Sequence, residues 1–506
     1  MAGMSLAELY NGGAVLLAEV PRLDWEELRA AVVGEVAVGG RLAALTGRPE
    51  ADGIEVLAVL VRPEQGCLAA GRALVGERFA SLTPACPQAH WFERELAEQW
   101  GVVPEGHPWL KPIRFHRSYR AGRDAWGRSP ETPILPGVTD FYRVEGDEIH
   151  EVAVGPVHAG VIEPGHFRFS CHGERVLHLE ISLGYQHRGV ERALVAGPDR
   201  RSIHLAETLA GDSTVAHATA LCQLLEGLGG CQASPRADVI RAVALELERL
   251  ANHVGDLGAL AGDVGFLPTQ SFCGRLRGDI LNLTAELCGN RFGRNLVRPG
   301  GVAFDLDPER VERMAAKLAA VMRDVRGAVE LMFETSSVMG RLEGTGVVSP
   351  AQAVEMGLVG VPARACGLDR DVRAELPSGM YRFAQVPVST WHTGDVFARA
   401  WVRWLEVQRS AQFIGDRLAA LPKGPIRVDS PPIAAGSLAV SLVESWRGEL
   451  CHLAITDPAG RFASYKVVDP SFHNWMGLAM ALREQQISDF PLCNKSFNLS
   501  YCGHDL

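Results

Sequence analysis

The sequence predicts an α+β protein: a small N-terminal α/β domain followed by a large, mainly helical bundle domain with β-hairpins. Three patterns carry that prediction. Helix and strand periodicities alternate within residues 1–116, a Gly/Pro/Arg-rich interval over 117–147 has neither, and several long segments within 148–506 repeat apolar residues at three and four. At 506 residues the chain exceeds one typical core, so a front domain, a linker and a back domain are the natural division.

Composition narrows the class. Hydrophobic residues make up 47% and charged residues 22%, the balance of a protein with a well-packed interior. A formal charge of -10 with no Lys/Arg block excludes nucleic acid as a partner. The 11 cysteines show no CxxC pair, and the first residues lack a secretory pattern, which predicts a cytoplasmic chain with reduced thiols. No apolar run is long enough to span a bilayer, so any membrane association is peripheral.

In chain order, LDWEELRAAV at 23–32 reads as a helix and IEVLAVLVRP at 54–63 as a buried strand. HWFERELAEQW, from residue 90, is an amphipathic helix stopped by Gly101, and Trp91, Phe92 and Trp100 serve as core or interface anchors. GPVHAGVIEPGH is a loop that holds His158 and His166, and FRFSCHGERVLHLEISL alternates as a β-hairpin about His172–Gly173. Ile203–Gly227 reads as one helix on which Ala210, Ser213 and His217 share a face. Helices follow at 236–260, 270–289, 308–337 and 396–421, interrupted by a Gly/Pro region at 359–391. The C-terminal part predicts a hairpin over 437–468 with its turn at DPAG, then a helix from His473. Glu246, Arg249 and His253 lie close on one helix and read as structural.

The stretch WFERELAEQWGVVPEGHP resembles the signature of the 30 kDa subunit of respiratory complex I, which implies a docking domain without a redox centre. RGVE at 188–191, AETLAGDSTVAHA at 206–218 and LELERLANHVGDLG at 245–258 stand in a telling order and spacing. They resemble the large subunit of energy-converting nickel-iron hydrogenases of the formate hydrogenlyase type, and the 49 kDa subunit of complex I. GPVHAGVIEPGHFRF and SDFPLCNKSFNLSYCGHDL extend the likeness to both ends of the back domain.

The hydrogenases hold nickel and iron with four thiolates. The resemblance sets the first pair on Ala210 and Ser213 and the second on Cys493 and Ser496, so one sulfur of four remains. No nickel-iron centre is expected, and no cofactor is expected to bind this chain directly. Cys493 and Cys502 read as ordinary thiols.

By the same resemblance Glu191 relays protons, with burial expected to raise its pKa. Arg188 and His187 lie beside the last 4Fe-4S cluster of a partner small subunit, the complex I 20 kDa type, and Asp212 and His217 join the same cavity. His158 matches a quinone-binding histidine, but residues 192–209 contain no tyrosine to complete that site, and Tyr185 is the nearest phenol in sequence. Antiporter-like membrane subunits and a place on the cytoplasmic face of the inner membrane are implied as well.

The leading expectation is a peripheral-arm large subunit that couples electron transfer to proton or ion translocation without a nickel-iron centre. A scaffold that docks the iron-sulfur subunit to the membrane arm is the alternative. An active hydrogenase or formate hydrogenlyase subunit is the third, and the missing thiolates count against it.

Overall fold

The computed structural model describes residues 6–160 and 162–506. The front domain starts with α1 (Trp25–Ala37), fixed at its N-terminus by a capping box. The Asp24 carboxylate accepts from Glu27 N at 2.7 Å, and Glu27 returns a bond to Asp24 N at 3.1 Å. Strands β1 (Arg41–Glu50), β2 (Gly53–Arg62) and β3 (Cys67–Val75) then form an antiparallel meander, with short strands Ala7–Leu9 and Arg22–Leu23 added on β3.

The predicted WFERE helix is α2 (His90–Trp100), closed by Gly101 at φ +65°. Its ten residues His90–Gln99 are all buried, charged ones included. One face lies on β1, where a Cβ at Gly47 would stand within 2.8 Å of Leu96, so only glycine lets the helix approach. The opposite face meets the back domain, and each glutamate between has its own partners. Glu93 accepts from Ser81, Leu82 and Thr83, Glu98 from the N–H groups of Ile113, Arg114 and Phe115, and Glu95 from Arg114 and Lys466.

After residues 107–148, which contain no helix or strand, β4 (Ile149–Val154), β5 (His166–His172) and β6 (Arg175–Ser182) form an antiparallel sheet. The expected hairpin is present, with Phe167 opposite Ile181 and Phe169 opposite Leu179, and β4 adds a third strand that the sequence did not announce. Short helices α3 (Val190–Leu194) and α4 (Ser202–Glu207) lead to α5 (Thr214–Gly229). The single helix expected over Ile203–Gly227 is therefore two helices with a turn at 208–213. Thr214 makes the break, because its hydroxyl lies at 3.2 Å from the carbonyl oxygens of both Glu207 and Gly211.

The bundle consists of α6 (Pro235–Asp263), α7 (Leu267–Cys288), α8 (Pro308–Glu334) and α9 (Val396–Ala419), with α6 packed on α7 and α9. The segment predicted as one helix over 308–337 ends at Glu334, and Ser336–Leu342 forms a separate short helix. The C-terminal hairpin is a three-stranded meander, β7 (Ser437–Ser445), β8 (Gly448–Thr456) and β9 (Phe462–Val468). Its first turn, Trp446–Arg447, lacks the usual turn residues and is enabled by Gly448 at φ +136°, which is why only the DPAG turn was legible. Helices α10 (Pro470–Ala481), α11 (Phe490–Phe497) and α12 (Tyr501–Asp505) finish the chain.

Front and back portions are interleaved. Ala14–Leu16 adds a strand to the edge of β7. Arg41 of β1 donates to Glu449 of β8 at 2.8 Å and to Glu375 at 2.5 Å. Among the described residues, no helix is long and apolar enough to cross a membrane.

Candidate functional site

The RGVE segment is anchored by the C-terminus. Arg188 N and Gly189 N donate to Leu506 O at 2.8 and 3.0 Å, and His187 Nδ1 lies 2.7 Å from Asp505 O. The exposed Arg188 guanidinium spans the site entrance, donating to Thr208 O at 2.7 Å, Leu209 O at 2.8 Å and Cys502 O at 3.3 Å. It thereby ties the 208–213 turn to α12. His187 stacks on His116 at 4.7 Å, and burial together with the Arg114 charge lowers it to about 4, so it is neutral at physiological pH.

Ala210 is fully buried with its methyl, and Ser213 is buried with Oγ 3.5 Å from Asp212 Oδ1. Asp212 forms a bidentate pair with Arg447, both contacts at 2.7 Å, while Asn252 and Trp446 donate to its carbonyl. The Arg447 guanidinium sits 3.9 Å above the Trp446 ring and donates to Asn498 O at 2.6 Å. Glu248 was missed by sequence reading. It accepts from the Val215 and Ala216 N–H groups at 2.7 and 3.3 Å at the start of α5, and burial pushes it up to about 8. Glu246, Arg249 and His253, read as structural, occupy the bundle core instead.

His217 begins an interior chain. Its Nε2 lies 3.5 Å from Asp469 Oδ2 and its Nδ1 3.1 Å from His452 Nε2, and His452 Nδ1 lies 2.7 Å from the Tyr465 hydroxyl. All four side chains are buried. Asp469, His452 and Tyr465 carried no sequence signal, because the strand residues His452 and Tyr465 and the α10 cap Asp469 reach α5 only through the fold.

Glu191 is buried on α3 and takes three donors: Lys466 Nζ and Val467 N at 2.9 Å and the Gln99 amide at 3.2 Å. Lys466 also binds Glu95 at 2.6 Å, and Glu95 pairs with Arg114, which donates to His504 O. The front domain thus reaches the RGVE glutamate through Gln99 and Glu95 of α2.

His158 lies on the loop between β4 and β5, with Nε2 2.9 Å from Gly165 O. Glu163 of the same loop accepts from Tyr501 N and Cys502 N at 3.4 and 3.3 Å, so loop and α12 close over each other. Two phenols arrive from afar. Tyr501 packs against Gly165, where a Cβ would stand 2.6 Å from its ring, and Tyr119 lies under Arg192 at 4.9 Å. Tyr185 instead meets Gly137 of the linker.

Cys493 and Ser496 do not lie on this wall. Their helix, α11, packs on α6, α9 and α10. Ser496 Oγ accepts from Arg399 at 2.8 Å, and Cys493 Sγ faces Gly346, where a Cβ would stand 2.5 Å away. The stretch that meets Asp469 and the 208–213 turn is Ser500–Gly503, and a Cβ at Gly503 would be 2.7 Å from the Asp469 carboxyl carbon. Burial raises the Cys493 and Cys502 thiols to about 12, so neither is a ready thiolate. Among the described residues, no group of three or more His, Cys, Asp or Glu side chains is arranged to hold a metal ion. A methyl, a hydroxyl, the Cys493 thiol off the wall and the lone Cys502 thiol beside it do not fit a four-thiolate nickel-iron centre.

Comparison with known proteins gives two family matches. Residues 20–124 match the family model described as respiratory-chain NADH dehydrogenase, 30 Kd subunit, and residues 263–438 match that of the 49 Kd subunit. The carbon monoxide-induced hydrogenase of Rhodospirillum rubrum is 32% identical over 351 residues, 69% of this chain and 97% of the relative. Formate hydrogenlyase subunit 5 of Escherichia coli is 29% identical over 438 residues, 84% of this chain and 77% of the relative. NADH-quinone oxidoreductase subunit 4 of Thermus thermophilus is 30% identical over 370 residues, 68% of this chain and 90% of the relative. The chain belongs to the family that unites the large subunits of energy-converting hydrogenases with the 49 kDa subunit of complex I, and carries a domain of the 30 kDa family fused in front.

Proposed function

We propose that this chain is the peripheral-arm large subunit of a membrane redox complex, coupling electron transfer at a partner's 4Fe-4S cluster to proton or ion translocation without a nickel-iron centre. The observation that supports this most is a kept frame around replaced ligands. Arg188 still bridges the 208–213 turn to the C-terminal helix, while Ala210 and Ser213 offer no sulfur and Arg447 is locked on Asp212. In this reading the exposed Arg188 faces an iron-sulfur small subunit of the complex I 20 kDa type, where its positive charge favours the reduced cluster. Antiporter-like membrane subunits would carry the ions, with the chain peripheral on the cytoplasmic face of the inner membrane.

Glu191 would carry the proton step. Its carboxylate accepts from Lys466, Val467 and Gln99, which places it where α2 of the front domain, α3 and β9 meet. His158 and the Tyr501 phenol flank the loop–α12 seam, the place where a quinone head group would find a histidine and a phenol together.

Glu191→Gln in the intact complex tests the reading. Proton translocation is expected to fall on the order of 100-fold, with electron delivery to an artificial acceptor retained. Translocation at the wild-type rate would instead assign the chain a scaffold role.

A further inference from the structure

The bundle encloses an ionic cluster that none of these roles uses. Arg364 lies at its centre, its Nη1 donating to Glu444 Oε1 at 2.7 Å and its Nη2 to Glu406 Oε1 at 2.8 Å. On the far side of Glu406, Oε2 lies 2.6 Å from His253 Nε2. Arg373 spans Asp371 at 2.6 Å, Glu246 at 3.1 Å and Glu406 at 3.3 Å, and Arg249 pairs with Glu246 at 3.1 Å. None of these eight side chains is more than 3% exposed.

The charges do not cancel. Three guanidiniums, Arg249, Arg364 and Arg373, face four carboxylates, Glu246, Asp371, Glu406 and Glu444, leaving one negative charge in excess. Among the described residues, the nearby cations are engaged outside the cluster. Arg403 is paired with Asp256 at 2.8 Å. Arg409, half-buried on α9, donates to Pro387 O at 3.0 Å and the Ser389 hydroxyl at 2.7 Å and acts on Glu406 only through its field. The Tyr381 and Ser410 hydroxyls on Glu246 are neutral. Burying an unbalanced carboxylate costs several kcal/mol, and binding one proton removes that cost.

Two groups can hold the proton. Arg364 and the His253 hydrogen bond overcome burial and keep Glu406 well below the usual carboxylate range, and Arg373 and Arg364 do the same for Asp371. Glu444 goes the other way, pushed up to about 7 by burial and by the Asp371 charge. His253, at the opposite end of the Arg364–Glu406 pair, is the alternative holder, opposed by burial.

Glu444 Oε2 accepts from Val372 N at 3.1 Å, and the residue borders internal space. It lines a chamber of about 30 Å³ with Asp238, Arg241, Arg373 and Tyr381, room for roughly one or two waters. Thr219 on the same wall is 5% exposed, and its hydroxyl is buried with no protein partner, as expected of a group that binds water there. Asp238, Arg241, Gln223, Ser378 and Gly379 continue into a groove of about 390 Å³ beside the exposed Phe383.

We propose that this cluster is a proton-loading site, which takes one proton from solvent through the groove and the Thr219 chamber onto Glu444, with His253 as the second resting place. The step moves a proton from hydronium to a carboxylate and leaves water behind. It deepens the proton-coupling reading, yet it rests on this chain's own charges and is measured without turnover, so loss of the Glu191 role would leave it standing.

Infrared difference spectra of the purified complex across neutral pH test it. A protonated-carboxyl band with a midpoint near 7 is expected, and Glu444→Gln should remove that component while the bands of Glu248 and Asp238 persist. Thr219→Val, which replaces the water-binding hydroxyl with a methyl group, should slow deuterium exchange of the band several-fold without abolishing it. Spectra of Glu444→Gln that superimpose on wild type would overturn the proposal, as would unaltered exchange in Thr219→Val.

Discussion

Lys466→Met is expected to cost about 3–5 kcal/mol of stability, because it strands two buried carboxylates at once. Lys466 is 1% exposed and binds Glu95 at 2.6 Å and Glu191 at 2.9 Å, so methionine leaves Glu191 with only neutral donors and Glu95 with Arg114 alone. The effect should depend on pH with a definite sign. Burial alone would raise Glu95, but Lys466 and Arg114 overcome it and lower its pKa in the folded state. A carboxylate depressed by folding contributes stability above its unfolded pKa of about 4.3 and loses it as pH falls through the folded value. The gap between wild type and Lys466→Met should therefore be widest near neutrality and narrow on acidification, as read by chemical unfolding. Adding Glu95→Gln should recover part of the loss, since residues in one network are not additive.

Arg364→Met is expected to be at least as damaging, on the order of 5 kcal/mol, because one guanidinium there serves Glu406, Glu444 and, at 3.7 Å, Asp371. Glu406 and Asp371 are both depressed in the folded state, so their contribution too is present above the unfolded carboxylate pKa and lost toward acid. Glu444 has the opposite sign. Its raised folded pKa erodes stability as pH climbs from the unfolded value toward about 7, so wild type should be more stable slightly below neutrality than above it. Removing Arg364 should steepen that decline, which thermal unfolding at a series of pH values would reveal.

Much of the fold could be read from residue patterns because local periodicity and punctuation agreed with it. The α2 helix with its Gly101 stop, the β5–β6 hairpin and the long bundle helices each carry their own period or cap. What escaped depended on contacts far apart in sequence. Ala14–Leu16 is too short to announce a strand and becomes one only by meeting β7, and the turn at 208–213 reads as helix until Thr214 is seen bonding back to Glu207 and Gly211.

The same distinction governs the site. Arg188, Glu191, Asp212 and His217 were legible through motif spacing, whereas Lys466, Arg447, Asp469 and His452 come from strands and turns that no motif marks. Placing Cys493 and Ser496 opposite Ala210 and Ser213 followed i, i+3 spacing alone. The αL residue Asn498 ends α11 and redirects the chain, so Ser500–Gly503 reaches the site instead.

Elemental analysis of the intact purified complex, with nickel and iron counted per copy of this chain, bears most directly on the central claim. Nickel far below one per chain, with iron accounted for by the partner's cluster, is the predicted result. One nickel per chain, retained through purification of the complex, would contradict it.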